Sequence, residues 1–402
     1  MPEQAEPRRD ATPILRPRRL AEKALPGHNR RHNRALVLQH LFHSGAMSRA
    51  DLARESGLTR VTVGELVAEL QSEGIVRELG QRPGARPGKP ATLVEVDVDA
   101  YAIVAIDLSP DDRFVGALMN LRGDVLYRAG QPRAGATGEA AVEKVLALVE
   151  SLVSSCSSRL LGIGVGTPGI VDGAGIVREA PNLGWSELDL GARIRRAFGH
   201  PVYVSNDANA AALGVHTFAL PGEDRALAGS AQAADAAEIG ESLLVVRVEQ
   251  GVGAGLVVGG TLVAGEQSAA GEIGHVVIDE NGPQCVCGRR GCLEAVVTAP
   301  HLRRRLAAAG ADARSEVLTD AGRALGIALS PIVSILNLNL VVLSGPGELI
   351  GGTFLESARR TLRARTMSAV NNGLELRTAS GGEDLVLRGA AVLVLSTELG
   401  VS

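Results

Sequence analysis

The run EIGHVVIDENGPQCVCGRRGCLE, residues 272–294, constrains this chain more tightly than any other segment. Three of the four cysteines in the chain, Cys285, Cys287 and Cys292, crowd into eight residues there, and His275 lies ten residues upstream of the first. Cysteines so close together, with Gly288 and Gly291 permitting tight turns between them, have the spacing of a metal site. Soft sulfur plus imidazole suits Zn2+. Four protein ligands would close the tetrahedron, so the expected ion is structural rather than catalytic. Disulfide pairing is the alternative, disfavoured because nothing marks the chain for secretion. Cys156 stands apart on an expected helix and reads as a core thiol.

The length, 402 residues, admits two or three domains. With 45% hydrophobic and 21% charged residues the chain is not wholly disordered and can fill sizeable cores. Aromatics, at 2%, are too sparse for a single-strand nucleic-acid platform, which stacks bases on rings. No apolar run reaches the roughly 18 residues of a membrane span. The N-terminal MPEQAEPRRDATPILRPRRL has arginines with no apolar stretch behind them, unlike a secretory signal, so a cytoplasmic protein is expected. Charge is divided unevenly. Residues 1–95 hold 16 Lys and Arg against 11 Asp and Glu, a net of +5, and the remainder carries −9. A basic end on an acidic body points to a polyanionic partner at that end; a solvated arginine-rich tail is the plainer alternative.

Residues 1–27, rich in Pro and Arg without periodicity, read as such a tail. A second unit is expected over 28–95. Helical spacing starts at Asn29, with Leu36, Val37, His40 and Leu41 on one face. Ser48, with Asp51 three residues on, marks a second helix start, and Gly57 its end. Thr59 caps a third helix, whose Val63, Leu66, Val67 and Leu70 form an apolar stripe. Ile75-Val76 and Thr92–Val96 read as two strands of a hairpin around QRPGARPGK. This is the order of a winged helix-turn-helix, which enters the major groove of double-stranded DNA with the start of its third helix. Thr59, Arg60 and Thr62 there point away from the stripe, and Arg82, Arg86 and Lys89 of the wing can meet phosphates or a narrow minor groove. A helical protein-interaction module with a basic loop is the competing interpretation.

Over 96–402 an α/β pattern runs twice. Strands at Tyr101–Leu108, Phe114–Leu121 and Val125–Ala129 precede a helix at Ala140–Ser154 and strands at Leu160–Gly166 and Val202–Val204. Strands at Ser242–Val248, Gly255–Val258 and Thr261–Val263 then precede helices around 298–309 and 315–336 and a strand at Leu340–Leu343. Two related lobes with a cleft between them are expected. The Ala-rich, polar segment 223–241 reads as a loose loop.

The motifs GEIGH, CVCGRRGCLE, QGVGAGLVVGG (250–260) and NDAN (206–209) together resemble the ROK family of sugar kinases and repressors, over about residues 97–400. The winged helix resembles that of its repressor branch. The resemblance implies an α/β two-lobed, actin-like (ribonuclease H-like) sugar-kinase fold behind a mainly helical DNA-binding domain, with a sugar in the cleft. It implies that Asn206, Asp207, Glu272, His275 and Glu294 grip sugar hydroxyls, that Gly169 in the TPG loop lets backbone approach the ring, and that Asp207 in a kinase would be the general base. Capping the next helix is a structural alternative for Asp207.

Kinases of the family resemble one another in a D-x-G-G-T loop, where this chain has Asp107-Leu108-Ser109-Pro110-Asp111-Asp112. Both glycines are missing, Pro110 removes a backbone donor, and two extra carboxylates are expected to repel phosphate. Glu249-Gln250 opens the second phosphate loop, and Ser344-Gly345-Pro346-Gly347 alters a third. A preserved sugar side beside a degraded nucleotide side implies a sensor rather than an enzyme. The expectation is a transcriptional regulator, of repressor type, which senses a sugar or sugar phosphate and binds a pseudo-palindromic operator as a homodimer or homotetramer. An ATP-dependent sugar kinase with an added DNA-binding domain is the rival, and a zinc-stabilised interaction module the third possibility. One of the ring nitrogens of His275 is expected on zinc and the other on a sugar hydroxyl. Gly64 and Glu65 depart from the T-V-S-R frequent in recognition helices of the family, so operator sequence does not transfer from relatives.

Overall fold

The computed structural model describes residues 29–81, 91–218, 241–310, 313–379 and 382–401. The tail expected over 1–27, the wing residues Arg82, Arg86 and Lys89, and nearly all of the loop expected over 223–241 lie outside the described residues.

The chain starts with α1 (Asn29–Ser44), β1 (Met47–Ser48), α2 (Arg49–Ser56), α3 (Arg60–Ser72), β2 (Val76–Gln81) and β3 (Thr92–Val96). Both predicted caps form: the Ser48 Oγ accepts from the Asp51 N–H at 3.1 Å, and the Thr59 Oγ1 from the Thr62 N–H at 3.1 Å. The α3 stripe is buried against Leu36, Val37, Leu41 and Leu52. Two details differ from the sequence reading. The hairpin strand runs on to Gln81, and the two residues of β1 add a third strand, in order β1-β3-β2. Two residues are too short for alternation to register.

The body has two five-stranded sheets of the same topology. The first is built from β4 (Ala102–Asp107), β5 (Arg113–Met119), β6 (Val125–Pro132), α4 (Gly138–Ser155) and β7 (Leu160–Thr167). After it come a small sheet of β8 (Ile170–Val171), β9 (Val177–Ala180) and β10 (Trp185–Leu188), then α5 (Leu190–Phe198), β11 (Val202–Asn206) and α6 (Asp207–Thr217). The second has β12 (Leu243–Val248), β13 (Val252–Val258) and β14 (Thr261–Leu262), then α7 (Glu294–Val297), α8 (Ala299–Ala308), α9 (Arg314–Leu336) and β15 (Leu340–Ser344). The chain ends with α10 (Gly347–Ile350), α11 (Gly352–Arg365), α12 (Ser368–Asn371), β16 (Glu375–Thr378) and α13 (Leu385–Glu398). The sheet orders are β11-β7-β4-β5-β6 and β14-β13-β12-β15-β16. In each, an antiparallel meander of three strands is extended by two parallel strands on the first. The doubled pattern in the sequence is therefore a real internal repeat. The small sheet, α5, α11 and α13 went unread. Cys156, expected on a helix, instead ends α4 in an extended conformation with its thiol toward the Ser158 carbonyl.

One core lies outside each sheet. The first packs α4 and α5 on β4, β5, β7 and β11; the second packs α8, α9 and α11 on β12, β13 and β15. Helix α9 has the length and hydropathy to cross a membrane, and its apolar face, Val317, Ala321, Leu325, Leu329 and Val333, is spent on this second core. The third core lies between the sheets and is filled by α6 and α13. These helices touch backbone to backbone: a Cβ on Gly389 would overlap the Ala210 carbonyl oxygen. The same core continues into the winged helix. The Phe218 ring, just past α6, lies 6.2 Å from the Phe42 ring of α1, and the Arg31 guanidinium of α1 donates to the Thr397 carbonyl of α13 at 3.1 Å. Gly389→Ala should cost about 3 kcal/mol, because neither helix backbone can yield without moving a sheet. A lowered thermal midpoint would check this, and a midpoint equal to that of the parent would refute the tight crossing.

Candidate functional site

The strand β11 ends at Asn206 and α6 begins at Asp207, so the NDAN motif straddles a strand-to-helix corner. Asn206, not Asp207, is the N-cap: its Oδ1 accepts from the Ala208 and Asn209 N–H groups at 2.9 and 3.0 Å. The alternative structural role considered for Asp207 thus belongs to its neighbour. The Asn206 amide also donates to the Gly169 carbonyl, at 2.9 Å, which ties the TPG loop to the corner. Gly169 has φ +94°, and a Cβ there would overlap the Glu179 carbonyl oxygen, so only glycine fits the loop.

Both Asp207 carboxylate oxygens have partners. Oδ1 accepts from the Asn206 amide at 3.2 Å, and Oδ2 from the Arg247 Nε at 3.2 Å. Arg247 lies on β12 of the other sheet and is 6% exposed. Its Nη2 donates to the Ser109 Oγ at 2.9 Å, so one guanidinium links the end of β4, the start of α6 and β12. The sequence reading missed Arg247; its signal was a lone cation in the apolar run LLVVRV. Asp107 accepts from the Ser109 N–H and hydroxyl at 2.8 and 2.6 Å. Burial pushes its carboxyl up to about 6, against the pull of Arg247 and the Ser109 hydrogen bonds. Burial likewise raises Glu249, although Arg247 pulls it down.

The two extra carboxylates of the first loop do not act as expected. Asp111 pairs with Arg133 at 2.9 Å and Asp112 approaches Arg113 at 3.9 Å, both on the exposed side of the loop. Asp111 is paired locally, and the acids grouped around Arg247 are Asp107, Asp207 and Glu249.

Glu272 and Glu294 reach the same place. Burial raises the Glu272 carboxyl, His275 opposes that rise, and Glu294 and Asp207 add to it, so the four groups share one field. The Glu294 Oε2 accepts from the Val252 N–H at 3.1 Å. The structure therefore joins Gly169, Asn206 and Asp207 at one corner and sets Glu272 where Asp207, His275 and Glu294 all act on its carboxyl.

The ligand atoms of His275, Cys285, Cys287 and Cys292 all lie within 4.8 Å of one another, a cluster that could hold a metal ion. The Cys285 Sγ is 3.6 Å from the His275 Nδ1, and the Cys287 and Cys292 sulfurs are 3.7 Å apart, far beyond a disulfide bond. The Arg289 N–H pulls the Cys287 thiol down to about 6, and burial pushes Cys292 up to about 12.

At the other end of the molecule, the start of α3 presents Arg60 to solvent. Thr59 and Thr62 are partly occupied with each other, their hydroxyls 2.8 Å apart. Val61, which the sequence reading left out, is 72% exposed beside Arg60. It lies off the apolar stripe, and an exposed valine has no periodicity to flag it.

Two five-stranded sheets of one topology, with helices between and outside them, define an actin-like fold of the sugar-kinase type. The chain belongs to the ROK family, whose profile matches residues 103–397. It is 27% identical to the xylose repressor of Caldicellulosiruptor bescii over 401 residues, 91% of this chain and 96% of that protein. It is 31% identical to a glucokinase of Halalkalibacterium halodurans over 274 residues, 60% of this chain and 78% of the enzyme. Among solved structures, a ROK family transcriptional regulator described as a homologue of Escherichia coli Mlc superposes with a TM-score of 0.77 at 23% identity, covering 92% of this chain and 97% of that one.

Asp107 supplies a test of the buried charge cluster. Its folded pKa stands above the ordinary 3.8, so the stability it contributes is full below about 4 and lost as pH rises through about 6. Asp107→Asn should be more stable than the parent at pH 7.5, by about 1–3 kcal/mol, and the gap should narrow on titration to pH 4.5. A gap independent of pH, measured by thermal unfolding, would contradict the assignment.

Proposed function

We propose that this protein is a sugar-responsive ROK transcriptional regulator, of repressor type, that binds double-stranded operator DNA through its winged helix and does not phosphorylate its ligand. The observation that carries the proposal is a continuous path of packed structure from cleft to DNA-binding domain. Helix α6 starts at the corner holding Asn206 and Asp207 and ends, about 16 Å on, where Phe218 meets Phe42 of α1. A sugar or sugar phosphate that closes the lobes on Asp207, Glu272 and Glu294 shifts α6 and α13 together, and with them α1. Ligand and operator are then coupled through two global states. Asp207 has lone pairs for sugar hydroxyls, but its hydrogen bond from Arg247 is not that of a free general base. Similarity to a xylose repressor over 91% of this chain supports the regulator over the kinase, whose similarity covers 60% of it.

Gly169, Asn206, Asp207, Glu272, His275 and Glu294 hold the effector in this account. Thr59, Arg60, Thr62 and Val61, with Arg82, Arg86 and Lys89 of the wing, meet DNA. The ion held by His275, Cys285, Cys287 and Cys292 is Zn2+. A tetrahedron with Zn–S of about 2.3 Å has S···S edges of about 3.8 Å, which the cysteine spacing approaches. Nδ1 faces the sulfurs, so Nε2 is left for a sugar hydroxyl. An operator with two half-sites calls for a dimer or tetramer, and DNA binding places the protein in the cytoplasm.

Cys287→Ser should lose both zinc, measured by elemental analysis, and the effector response in a gel shift. An unchanged effector response without zinc would break the link between metal and ligand. Arg60→Ala should weaken operator binding about tenfold or more without altering sugar binding. A coupled assay with ATP across a sugar panel should show no sugar-dependent turnover; robust turnover would establish the kinase instead.

A further inference from the structure

The cleft floor concentrates negative charge around one cation. Asp107, Asp207 and Glu249 all act on Arg247, and Asp207 and Glu294 both act on Glu272. The guanidinium does not stand free to receive an anion: Nε is on Asp207, Nη2 is on Ser109, and the residue is 6% exposed. Ser109 and Glu249 occupy the two loops that would have to open to phosphate oxygens, and Arg247 fixes the first by a hydrogen bond.

We infer that Arg247 is the built-in cation of the cleft and a specificity-determining residue, which locks Ser109 to Asp207 across the phosphate position and leaves the surrounding carboxylates in excess, so that the effector is a neutral, unphosphorylated sugar. This rests on the reading of the cleft as a sugar site. A neutral sugar donates its hydroxyls to carboxylate oxygens with no Coulomb cost. A phosphate monoester brings almost two negative charges and only acceptors. It would have to take Arg247 from Ser109 and Asp207 while lying against three carboxylates, and in a partly buried site that repulsion is not screened. An arginine with open donors would attract phosphate; this one is already engaged and outnumbered. Arg247 also positions Asp207, whose Oδ2 would otherwise lose its partner.

Isothermal calorimetry on the full chain tests this with D-glucose, D-xylose and N-acetyl-D-glucosamine, the 6-phosphates of glucose and N-acetylglucosamine, and AMPPNP. At least one neutral sugar should bind, with its phosphate about 30-fold or more weaker and no heat from the nucleotide. Tighter binding of a sugar phosphate would overturn the inference while leaving the sugar-sensor reading intact. Silence across the whole panel would overturn both. In the second arm, Asp107→Asn/Glu249→Gln removes two charges without touching Arg247, and should narrow the gap between sugar and sugar phosphate at least fivefold. An unchanged gap would show that carboxylate excess is not the cause. In the third, Arg247→Lys keeps the charge but cannot reach both Ser109 and Asp207, and should lose neutral-sugar affinity about tenfold while still unfolding in a single cooperative transition. Parental sugar affinity in that variant would remove Arg247 from the specificity argument.

Discussion

Two helices pressed between two sheets, with no room for a side chain at their crossing, set what this molecule can do. The contact of Gly389 on Ala210 means that α6 and α13 cannot slide independently. The sheets they separate belong to opposite lobes, so any change in the lobe angle must be absorbed by this pair. Both helices end against α1, through Phe218 and Thr397. Close-packed interiors pass displacement on rather than damp it, because a core has few voids into which side chains can yield. A ligand at the start of α6 therefore has a mechanical route to the winged helix that needs no further element.

The electrostatics of the cleft follow from the same geometry. Bringing two sheet ends and a helix start together buries Asp107 and Arg247 beside a half-buried Asp207, and burial of charge is tolerated only with partners. Arg247 supplies them, and in doing so occupies ground that a phosphoryl-transfer enzyme must keep open. In the proposed reading, the carboxylates of the cleft serve a sugar, and an internal ion cluster stands where a kinase would receive the nucleotide phosphates. The His275, Cys285, Cys287 and Cys292 cluster that could hold a metal is built into the same lobe, on a loop folded back on itself by backbone hydrogen bonds such as those from Cys285 to Arg289 and from Leu293 to Val276.

Much of this was legible in the sequence where chemistry is local. The caps at Ser48 and Thr59 depend on residues three positions apart, and the Cys285–Cys292 spacing on turns of a few residues. The doubled fold showed because apolar strands recur in the same order. What escaped depended on contacts far apart in the chain. Arg247 reads as an anomaly in an apolar strand until β4 and α6 are folded against it. Asp111 reads as a free charge until Arg133, just past β6, is brought beside it. Asp207 shared its capping claim with Asn206 because both have suitable side chains and neighbouring positions. Val61 carried no pattern, since an exposed apolar residue at a helix start is defined only by what it fails to pack against.

The most direct test of the account is operator affinity with and without sugar. A duplex selected by this protein from a randomised pool, followed by fluorescence anisotropy at fixed salt, gives the dissociation constant in each state. Coupling through α6 and α13 predicts that saturating neutral sugar shifts that constant about 5- to 150-fold. The same constant at zero and saturating sugar, with sugar binding verified in the same sample, would contradict the account.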